Sequence, residues 1–354
     1  MQSRAHYDFR SDTVTVPTKE MALDMIQCEV GDDVFEEDPT INALQDYMAD
    51  ITGHEAALFC ATATMTNQVA IRSHLQVPPY SVVCDRRAHV FRYEAGGISF
   101  HSGAAVNPVL PKEGYHHLTA DVIEANMVLD DDVHFAPTQL VCIENTLNGE
   151  IFPLDEIKKI SQLVRSKGVR IHLDGARLWN ASVATGISIK EYCQQFDSVS
   201  LCLSKGLGAP VGSVLVGSKT FIKKARHIRK VFGGGWRQAG ILARAGLYAI
   251  EHHLPNLKRD HEHAKILANG LVELGFVLVH QPHTNMVFFD GKNVKLPGGD
   301  GFTMEKYSAM LARHGIKVFG GETSSGRLVL HHQIPTEAVE LLLRVTREWI
   351  QTGN

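Results

Sequence analysis

The chain has 354 residues, enough for one large domain and a smaller one. Its formal net charge of −4 offers no basic surface for nucleic acid, and no apolar run suggests a signal peptide or a membrane span. The six cysteines show no metal-type pairing and mostly lie in apolar runs, which indicates reduced thiols in a protein of the cytoplasm.

The first fifty residues predict an extended arm followed by two helices. Residues 8–18 are polar, and Ser11 within them either faces a site or lies in an arm that only caps a sheet. Thr18 opens the first helical pattern. An acidic loop at 31–39 precedes a second helix, which Thr40 begins and Gly53 ends.

A strand at 56–60 and a helix at 65–75 are joined by small residues, among them Ala63 and Thr64. Such a turn presents backbone N–H groups at a helix N-terminus, which attracts a phosphate. A plain helix start with threonine caps explains the same residues equally well.

Short strands and helices then alternate, with strands at 81–84 and 140–145, as far as a strand at 169–174, which ends in Asp174. This alternation predicts an α/β fold with a mostly parallel central sheet covered by helices. Ligands of such sheets lie at the carboxyl ends of the strands, where Asp174 is expected.

Lys205 follows a further apolar strand at 199–203, and a second buried run at 213–216 returns to the core. A lysine between two buried strands is costly unless it has a partner or has lost its proton. The chemistry that uses such a lysine is imine formation with an aldehyde, most often that of pyridoxal phosphate. The alternative is a lysine that simply extends to solvent.

The C-terminal part predicts a smaller α+β domain. Three glycines at 233–235 precede two long helical patterns. Short strands at 284–289, 317–318 and 327–330 and two more helices follow. The boundary is expected at 245–255, which gives a large domain at 1–250, with the N-terminal arm, and a small domain at 251–354.

A pyridoxal phosphate site needs three groups, and the chain has a candidate for each. Lys205 supplies the amine, Asp174 a carboxylate for the pyridine nitrogen, and the turn at Ala63 and Thr64 a seat for the phosphate. His89 is an aromatic ring that could stack on the cofactor. The order of phosphate turn, aspartate and lysine along one α/β sheet is more specific for this cofactor than any of the three alone.

Several longer stretches make the chain resemble the threonine aldolases, and most closely their fungal branch. The matching stretches are Asp8-Phe9-Arg10-Ser11-Asp12-Thr13, Gly31-Asp32-Asp33-Val34-Phe35, Glu37-Asp38-Pro39-Thr40, Ala88-His89-Val90, Glu144-Asn145-Thr146, His172-Leu173-Asp174-Gly175-Ala176-Arg177, Leu203-Ser204-Lys205, Gly233-Gly234-Gly235 with Arg237-Gln238, and Thr284-Asn285. The resemblance implies the fold-type-I fold of pyridoxal-phosphate-dependent transferases.

The resemblance also implies roles for single residues. Lys205 matches the lysine that binds the cofactor, Asp174 the contact to the pyridine nitrogen, and His89 the histidine that stacks on the ring. His134 matches a second histidine near the substrate hydroxyl. The groups that hold the substrate carboxylate match Ser11, Arg177 and Arg327, and Arg177 also adjoins the cofactor.

Members of that family are oligomers, commonly tetramers built from dimers, with sites at subunit interfaces. Arg229 and the triple-glycine loop are then expected to face a neighbour's cofactor, with Phe35 and Trp236 beside the interface. The chain departs from the family pattern at these last two positions and at Ala63, where tyrosine, a smaller residue and glycine are common.

The resemblance implies reversible cleavage of threonine or allo-threonine to glycine and acetaldehyde, with an amino acid as the small-molecule substrate. The proton of the hydroxyl is expected to pass to His89 or His134, and both remain candidates. An alanine racemase of the same family is the alternative activity, and a scaffold protein without activity conflicts with an intact Lys205 and Asp174. No bound metal is expected.

Overall fold

A computed structural model describes residues 5–299 and 301–353 of the chain. These residues form two compact units. Of the described residues, the larger unit comprises 20–204 and 211–248, and the smaller unit comprises 5–19, 205–210, 249–299 and 301–353.

The described residues contain α-helices, β-strands and two short 3-10 helices, Asp12–Val14 and Asp33–Phe35. The helices are α1 (Lys19–Met25), α2 (Pro39–Thr52), α3 (Ala63–His74), α4 (His89–Arg92), α5 (Gly97–Ser102), α6 (Ala120–Ala125), α7 (Leu154–Ser166), α8 (Leu178–Thr185), α9 (Ile189–Cys193), α10 (Lys219–Val231), α11 (Gly240–His253), α12 (Asn256–Glu273), α13 (Met304–Arg313) and α14 (Thr336–Thr352). The strands are β1 (Ala56–Cys60), β2 (Ser81–Asp85), β3 (Ala105–Val109), β4 (Thr138–Glu144), β5 (Arg170–Asp174), β6 (Ser198–Cys202), β7 (Ser213–Gly217), β8 (Val277–Leu278), β9 (Met286–Asp290) and β10 (Ser325–Val329).

The larger unit is built on a seven-stranded sheet with the order β1-β7-β6-β5-β4-β2-β3. Only β7 runs against its neighbours, and the ladders from β6 through β5, β4 and β2 to β3 are all parallel. The α/β fold with a mostly parallel sheet, as predicted, is therefore confirmed.

The parallel strands β4 and β5 both end in acidic residues at one edge of this sheet. β2, β6 and β7 are buried throughout, as expected for strands that helices cover on both faces. β4 and β5 pair so that Glu144 lies beside Asp174 at their carboxyl ends. That edge is where a parallel sheet presents ligand-binding residues.

The smaller unit contains the antiparallel sheet β10-β9-β8 and a core of its own. The predicted division near residue 250 requires two corrections, because the N-terminal arm and the loop at 205–210 both belong to this smaller unit. Phe9 is fully buried in its core, and the Phe9 N–H donates to Lys317 O at 2.8 Å while the Val329 N–H donates to Phe9 O at 2.9 Å. The arm is held by backbone pairing to residues more than 300 positions away, which no local pattern shows.

Among the described helices, none combines the length and the apolar character that crossing a bilayer requires.

Candidate active site

Asp174 is the last residue of β5 and is almost completely buried. Its Oδ1 accepts the Ala176 N–H at 3.0 Å, and its Oδ2 accepts from Asn67 Nδ2 at 2.8 Å. Gly175 lets the turn approach β6, since a Cβ there would lie 2.7 Å from Ser200 O. The carboxylate is thus held rigidly by two neutral donors.

A chain of hydrogen bonds between α3 and the strands β5 and β6 supports Asn67. His172 Nε2 lies 3.1 Å from Asn67 Oδ1, and His172 Nδ1 lies 2.8 Å from Ser198 Oγ, which is 2.7 Å from His74 Nε2. Because Asn67 donates through Nδ2, its Oδ1 accepts and His172 carries its proton on Nε2. Burial lowers the pKa of His172 to about 4 and that of His74 well below its usual value, so both rings are neutral.

Glu94 connects this network to His89. Its buried carboxylate accepts from Asn67 Nδ2 at 2.9 Å, from Gln68 Nε2 at 2.5 Å and from His89 Nδ1 at 2.8 Å. Glu144 holds the His89 backbone N–H at 2.7 Å. His89 begins α4 and keeps about a third of its side chain exposed, 34%. A ring that donates Nδ1–H to a carboxylate has its basic nitrogen at Nε2.

The structure brings His89 and Asp174 together through Glu94. One ligand atom from each of these three residues lies within 4.8 Å of the others, which is close enough for a metal ion. The N–H donors of Asn67, Gln68 and His89 already point at the two carboxylates, however. A cation would have to compete with these donors, so the donor set favours a hydrogen-bonded network over a metal centre.

The N-terminus of α3 lies where the phosphate turn was predicted. Thr62 caps the helix by accepting the Met65 N–H at 3.0 Å, and Ala63 and Thr64 form the first turn. First-turn N–H groups have no acceptor within their own helix, and the helix dipole adds positive potential. Thr66 ties this turn to the sheet, because its hydroxyl lies 3.0 Å from Ser213 Oγ.

Lys205 follows the end of β6 by three residues and is half-buried. Its loop, residues 205–210, belongs to the smaller unit and is closed by a hydrogen bond from the Gly208 N–H to Lys205 O at 2.8 Å. The prediction that the lysine follows an apolar strand is confirmed, since β6 is buried throughout.

Two of the residues predicted to hold a carboxylate lie together in the smaller unit. Arg327 on β10 donates from Nη2 to Arg10 O at 3.2 Å, next to Ser11, and its guanidinium lies 5.8 Å from the ring centre of Phe319. Ser11 accepts the Thr13 N–H at 3.2 Å. The third, Arg177, lies in the larger unit, three residues beyond Asp174 and at the start of α8.

His134 is not part of the Asp174 cluster in this chain. It lies in the loop that enters β4, at the end opposite Glu144, with 80% of its side chain exposed and Nδ1 2.7 Å from Asp132 Oδ1. Its proposed place near the substrate hydroxyl stays a prediction.

The residues expected at a subunit interface have different surroundings. Arg229 is buried, donates to Phe59 O at 2.7 Å and forms an ion pair with Asp33. Trp236 stacks on Phe59 with ring centres 5.7 Å apart, whereas Phe35 is 70% exposed. Arg229 and Trp236 are engaged within their own chain, and the contact of all three with a neighbour stays a prediction.

Sequence reasoning missed Asn67, Gln68 and Glu94. The first two lie inside α3, and Glu94 follows α4, so their partners are distant in sequence. His172 offered a signal, because it is a buried polar residue between the apolar Ile171 and Leu173 of β5. Ser198 is likewise polar and buried, at the start of β6.

The site fits pyridoxal phosphate. Asp174 has a buried carboxylate with two neutral donors, and no lysine or arginine in the described ranges 5–299 and 301–353 forms an ion pair with it. Such a carboxylate suits a cationic ring N–H. In the same unit the first turn of α3 suits a phosphate, and the imidazole of His89 suits the face of an aromatic ring.

The beta-eliminating lyase family model matches residues 8–293. A probable low-specificity L-threonine aldolase of Schizosaccharomyces pombe is 46% identical over 97% of this chain and 87% of its own length. The chain belongs to the threonine aldolases of the beta-eliminating lyase family. It is therefore a lyase, and the aldolase relatives do not favour the racemase alternative.

A further relative is similar in sequence, and two solved structures share the fold. The low specificity L-threonine aldolase of Escherichia coli is 44% identical over 79% of this chain and 83% of its own length. The solved structure of Leishmania major threonine aldolase shares the fold, with a TM-score of 0.80 at 19% identity over 97% of this chain and 99% of that one. A putative L-allo-threonine aldolase of Listeria monocytogenes does so with a TM-score of 0.77 at 22% identity, over 97% and 96%.

Proposed function

We propose that this threonine aldolase cleaves L-threonine and L-allo-threonine to glycine and acetaldehyde with pyridoxal phosphate as its cofactor. The observation that carries the proposal is the buried carboxylate of Asp174, held by Asn67 at the carboxyl edge of the sheet. The names of the aldolase relatives support the choice of substrate.

Lys205 and Asp174 would hold the cofactor. Lys205 follows β6 by three residues, and β6 pairs with β5, which Asp174 ends. When bound, pyridoxal phosphate supplies an electron sink for the pair left on the substrate Cα. Asp174 keeps the ring nitrogen protonated because a buried carboxylate favours a bonded cation.

The substrate carboxylate is assigned to Arg327, Arg177 and Ser11. A guanidinium presents two parallel N–H donors to a carboxylate and fixes its plane. Arg327 is held by the Arg10 carbonyl beside Ser11, which supports a joint role for these two residues. Fixing the carboxylate orients the Cα–Cβ bond, so the same contacts select which bond breaks.

The proton of the substrate hydroxyl is assigned to His89 Nε2. Glu94 accepts Nδ1–H, which fixes the tautomer and stabilises the imidazolium after the ring takes a proton. His134 is the alternative base, and its exposed loop carries no comparable support.

The experiment is an assay of purified protein, loaded with pyridoxal phosphate, on the four stereoisomers of threonine. We expect acetaldehyde and glycine from the two L-isomers and none from a Lys205→Ala variant. Absence of acetaldehyde from both L-isomers, with the cofactor bound, would overturn the assignment. Racemisation of L-alanine is measured in parallel.

We also infer a homo-oligomer, with a tetramer of two dimers as the expected form, and a cytoplasmic location. The support is the family's oligomeric character and the exposed Phe35. Light scattering of the purified protein tests the first, and a single-chain mass would refute it. Fractionation of the source cells tests the second.

A further inference from the structure

The loop that carries Lys205 is held at its backbone by two histidines of the smaller unit. His253, the last residue of α11, has Nδ1 2.8 Å from Leu207 O. His332, three residues after β10, has Nδ1 3.3 Å from Gly206 O. These two carbonyls are the first two that follow Lys205 in the chain.

The hydrogen bonds define the protonation of both rings. A carbonyl oxygen only accepts, so each histidine carries its proton on Nδ1. The ring centres of His253 and His332 lie 4.7 Å apart. Burial lowers the pKa of His253, and burial with the neighbouring His253 lowers the pKa of His332 to about 3. Both rings are therefore neutral near neutral pH.

Other charged and titratable groups around the pair oppose its protonation. Arg259 Nη2 donates to His332 O at 2.7 Å and places a positive charge beside the ring. Arg259 and His331 both lower the pKa of His332, and His252 lowers that of His253.

Packing restrains the loop in addition to these two hydrogen bonds. Gly208 has a φ of +79° and closes the turn on Lys205 O. A Cβ at this position would lie 2.3 Å from His332 Cε1, so the ring lies directly against the loop backbone. His332 therefore restrains the loop by its hydrogen bond to Gly206 O and by its packing against Gly208. His253 restrains it by its hydrogen bond to Leu207 O.

We propose that His253 and His332 are positioning residues that fix the backbone of Lys205, and so set the position of its amine for bonding to the cofactor. This inference rests on the proposed role of Lys205. It assigns neither histidine any contact with the cofactor or the substrate. Because each ring binds the loop carbonyl through its Nδ1–H, an asparagine amide that supplies an N–H in the same place is expected to replace that hydrogen bond.

The test compares His253→Leu with His253→Asn, and His332→Leu with His332→Asn. Leucine keeps apolar volume and removes the donor. In each leucine variant we expect kcat to fall about tenfold, the cost of roughly one hydrogen bond in transition-state positioning, with KM changed less. The visible band of the lysine-bound cofactor is expected to titrate at a shifted pH.

The asparagine variants are expected to recover most of kcat and the wild-type titration of that band. His314→Leu, at an exposed residue just after α13, is the matched control and is expected to behave as wild type. Leucine variants with wild-type kcat and band titration would overturn the inference. Asparagine variants no better than the leucine ones would also overturn it, since they would show a purely structural role.

Two measurements keep the outcomes distinct. Nitrogen-15 spectra of the wild-type histidines test the tautomers without any variant, and Nε2–H at either ring would overturn the inference even where a leucine variant fails to fold. A wild-type protein that shows no visible band with pyridoxal phosphate would instead refute the proposed function.

Discussion

Asn67 donates both hydrogens of its amide to two buried carboxylates, Asp174 Oδ2 at 2.8 Å and Glu94 Oε1 at 2.9 Å. It thereby holds the carboxylate proposed for the cofactor nitrogen and the one that orients His89. One uncharged side chain on α3 separates two like charges and serves both.

Replacing Asn67 with alanine should impair cofactor binding and turnover together. Two buried carboxylates lose a donor, and a hydrogen bond to a charged group is worth about 2 kcal/mol, which corresponds to roughly 30-fold in affinity. The dissociation constant for pyridoxal phosphate, measured by fluorescence titration, and kcat report the loss. Asn126→Ala, which removes a similar amide from the end of α6, is the control. An Asn67→Ala variant with wild-type affinity would show that Asp174 needs no support.

The His89→Asn variant tests the role of His89 as the base independently of cofactor binding. Asparagine retains an N–H for Glu94 but has no basic nitrogen, so we expect kcat for threonine to fall by about 10² to 10⁴ with the cofactor still bound. Glu94→Gln should lower kcat less, because a neutral amide stabilises an imidazolium weakly. Steady-state kinetics over pH 6–9 measure both. If His89→Asn retains most of kcat, His134 becomes the base, and His134→Asn tests it directly.

Arg327→Lys should raise KM for threonine more than it lowers kcat. Lysine keeps the charge and loses the two-pronged donor geometry that fixes a carboxylate. We expect KM to rise about tenfold or more, together with partial loss of discrimination between threonine and allo-threonine. Arg313→Lys, at the exposed end of α13, is the control. An unchanged KM in Arg327→Lys would remove this residue from the carboxylate site.

Asp260→Asn should stabilise the protein in a pH-dependent way. Asp260 is buried on α12 with neither carboxyl oxygen hydrogen-bonded to the described residues, and burial raises its pKa to about 8. The folded state keeps a proton that the unfolded chain releases above pH 3.8, so the free energy of unfolding falls as pH rises from about 4 to 8.

The asparagine variant does not lose stability in this way, because it has no carboxyl group at position 260. Its free energy of unfolding, measured by urea denaturation, should equal that of the wild type at pH 4. It should exceed the wild-type value by the order of several kcal/mol at pH 8, and the difference should then level off. Asp46→Asn on the exposed face of α2 should show no such trend. If the difference in free energy of unfolding between Asp260→Asn and the wild type shrinks as pH rises, Asp260 is ionised in the folded state.

The sequence allowed prediction of the parts of the site that depend on local pattern. Asp174 ends one short apolar strand, and Lys205 follows another. The helix predicted at 65–75 after a turn of small residues begins two residues earlier, at Ala63. The two strand patterns and the turn each span fewer than ten residues. The carboxyl ends of parallel strands lie at the same edge of a sheet, so the residues that follow them are expected there together.

The remaining parts depend on long-range contacts. The Asn67–Asp174 hydrogen bond spans 107 positions, and the N-terminal arm pairs with β10 across more than 300. β3 was also missed, because Asn107 and Pro108 interrupt its apolar pattern, which an edge strand tolerates. The strand predicted at 317–318 forms only a bridge between Lys317 and Asp8.

The covalent role proposed for Lys205 is tested by reducing the protein with borohydride in the presence of pyridoxal phosphate and mapping the modified peptide by mass spectrometry. We expect one stable adduct, on Lys205, that Lys205→Ala abolishes. An adduct on another lysine, or no adduct in a protein that still cleaves threonine, would contradict that role.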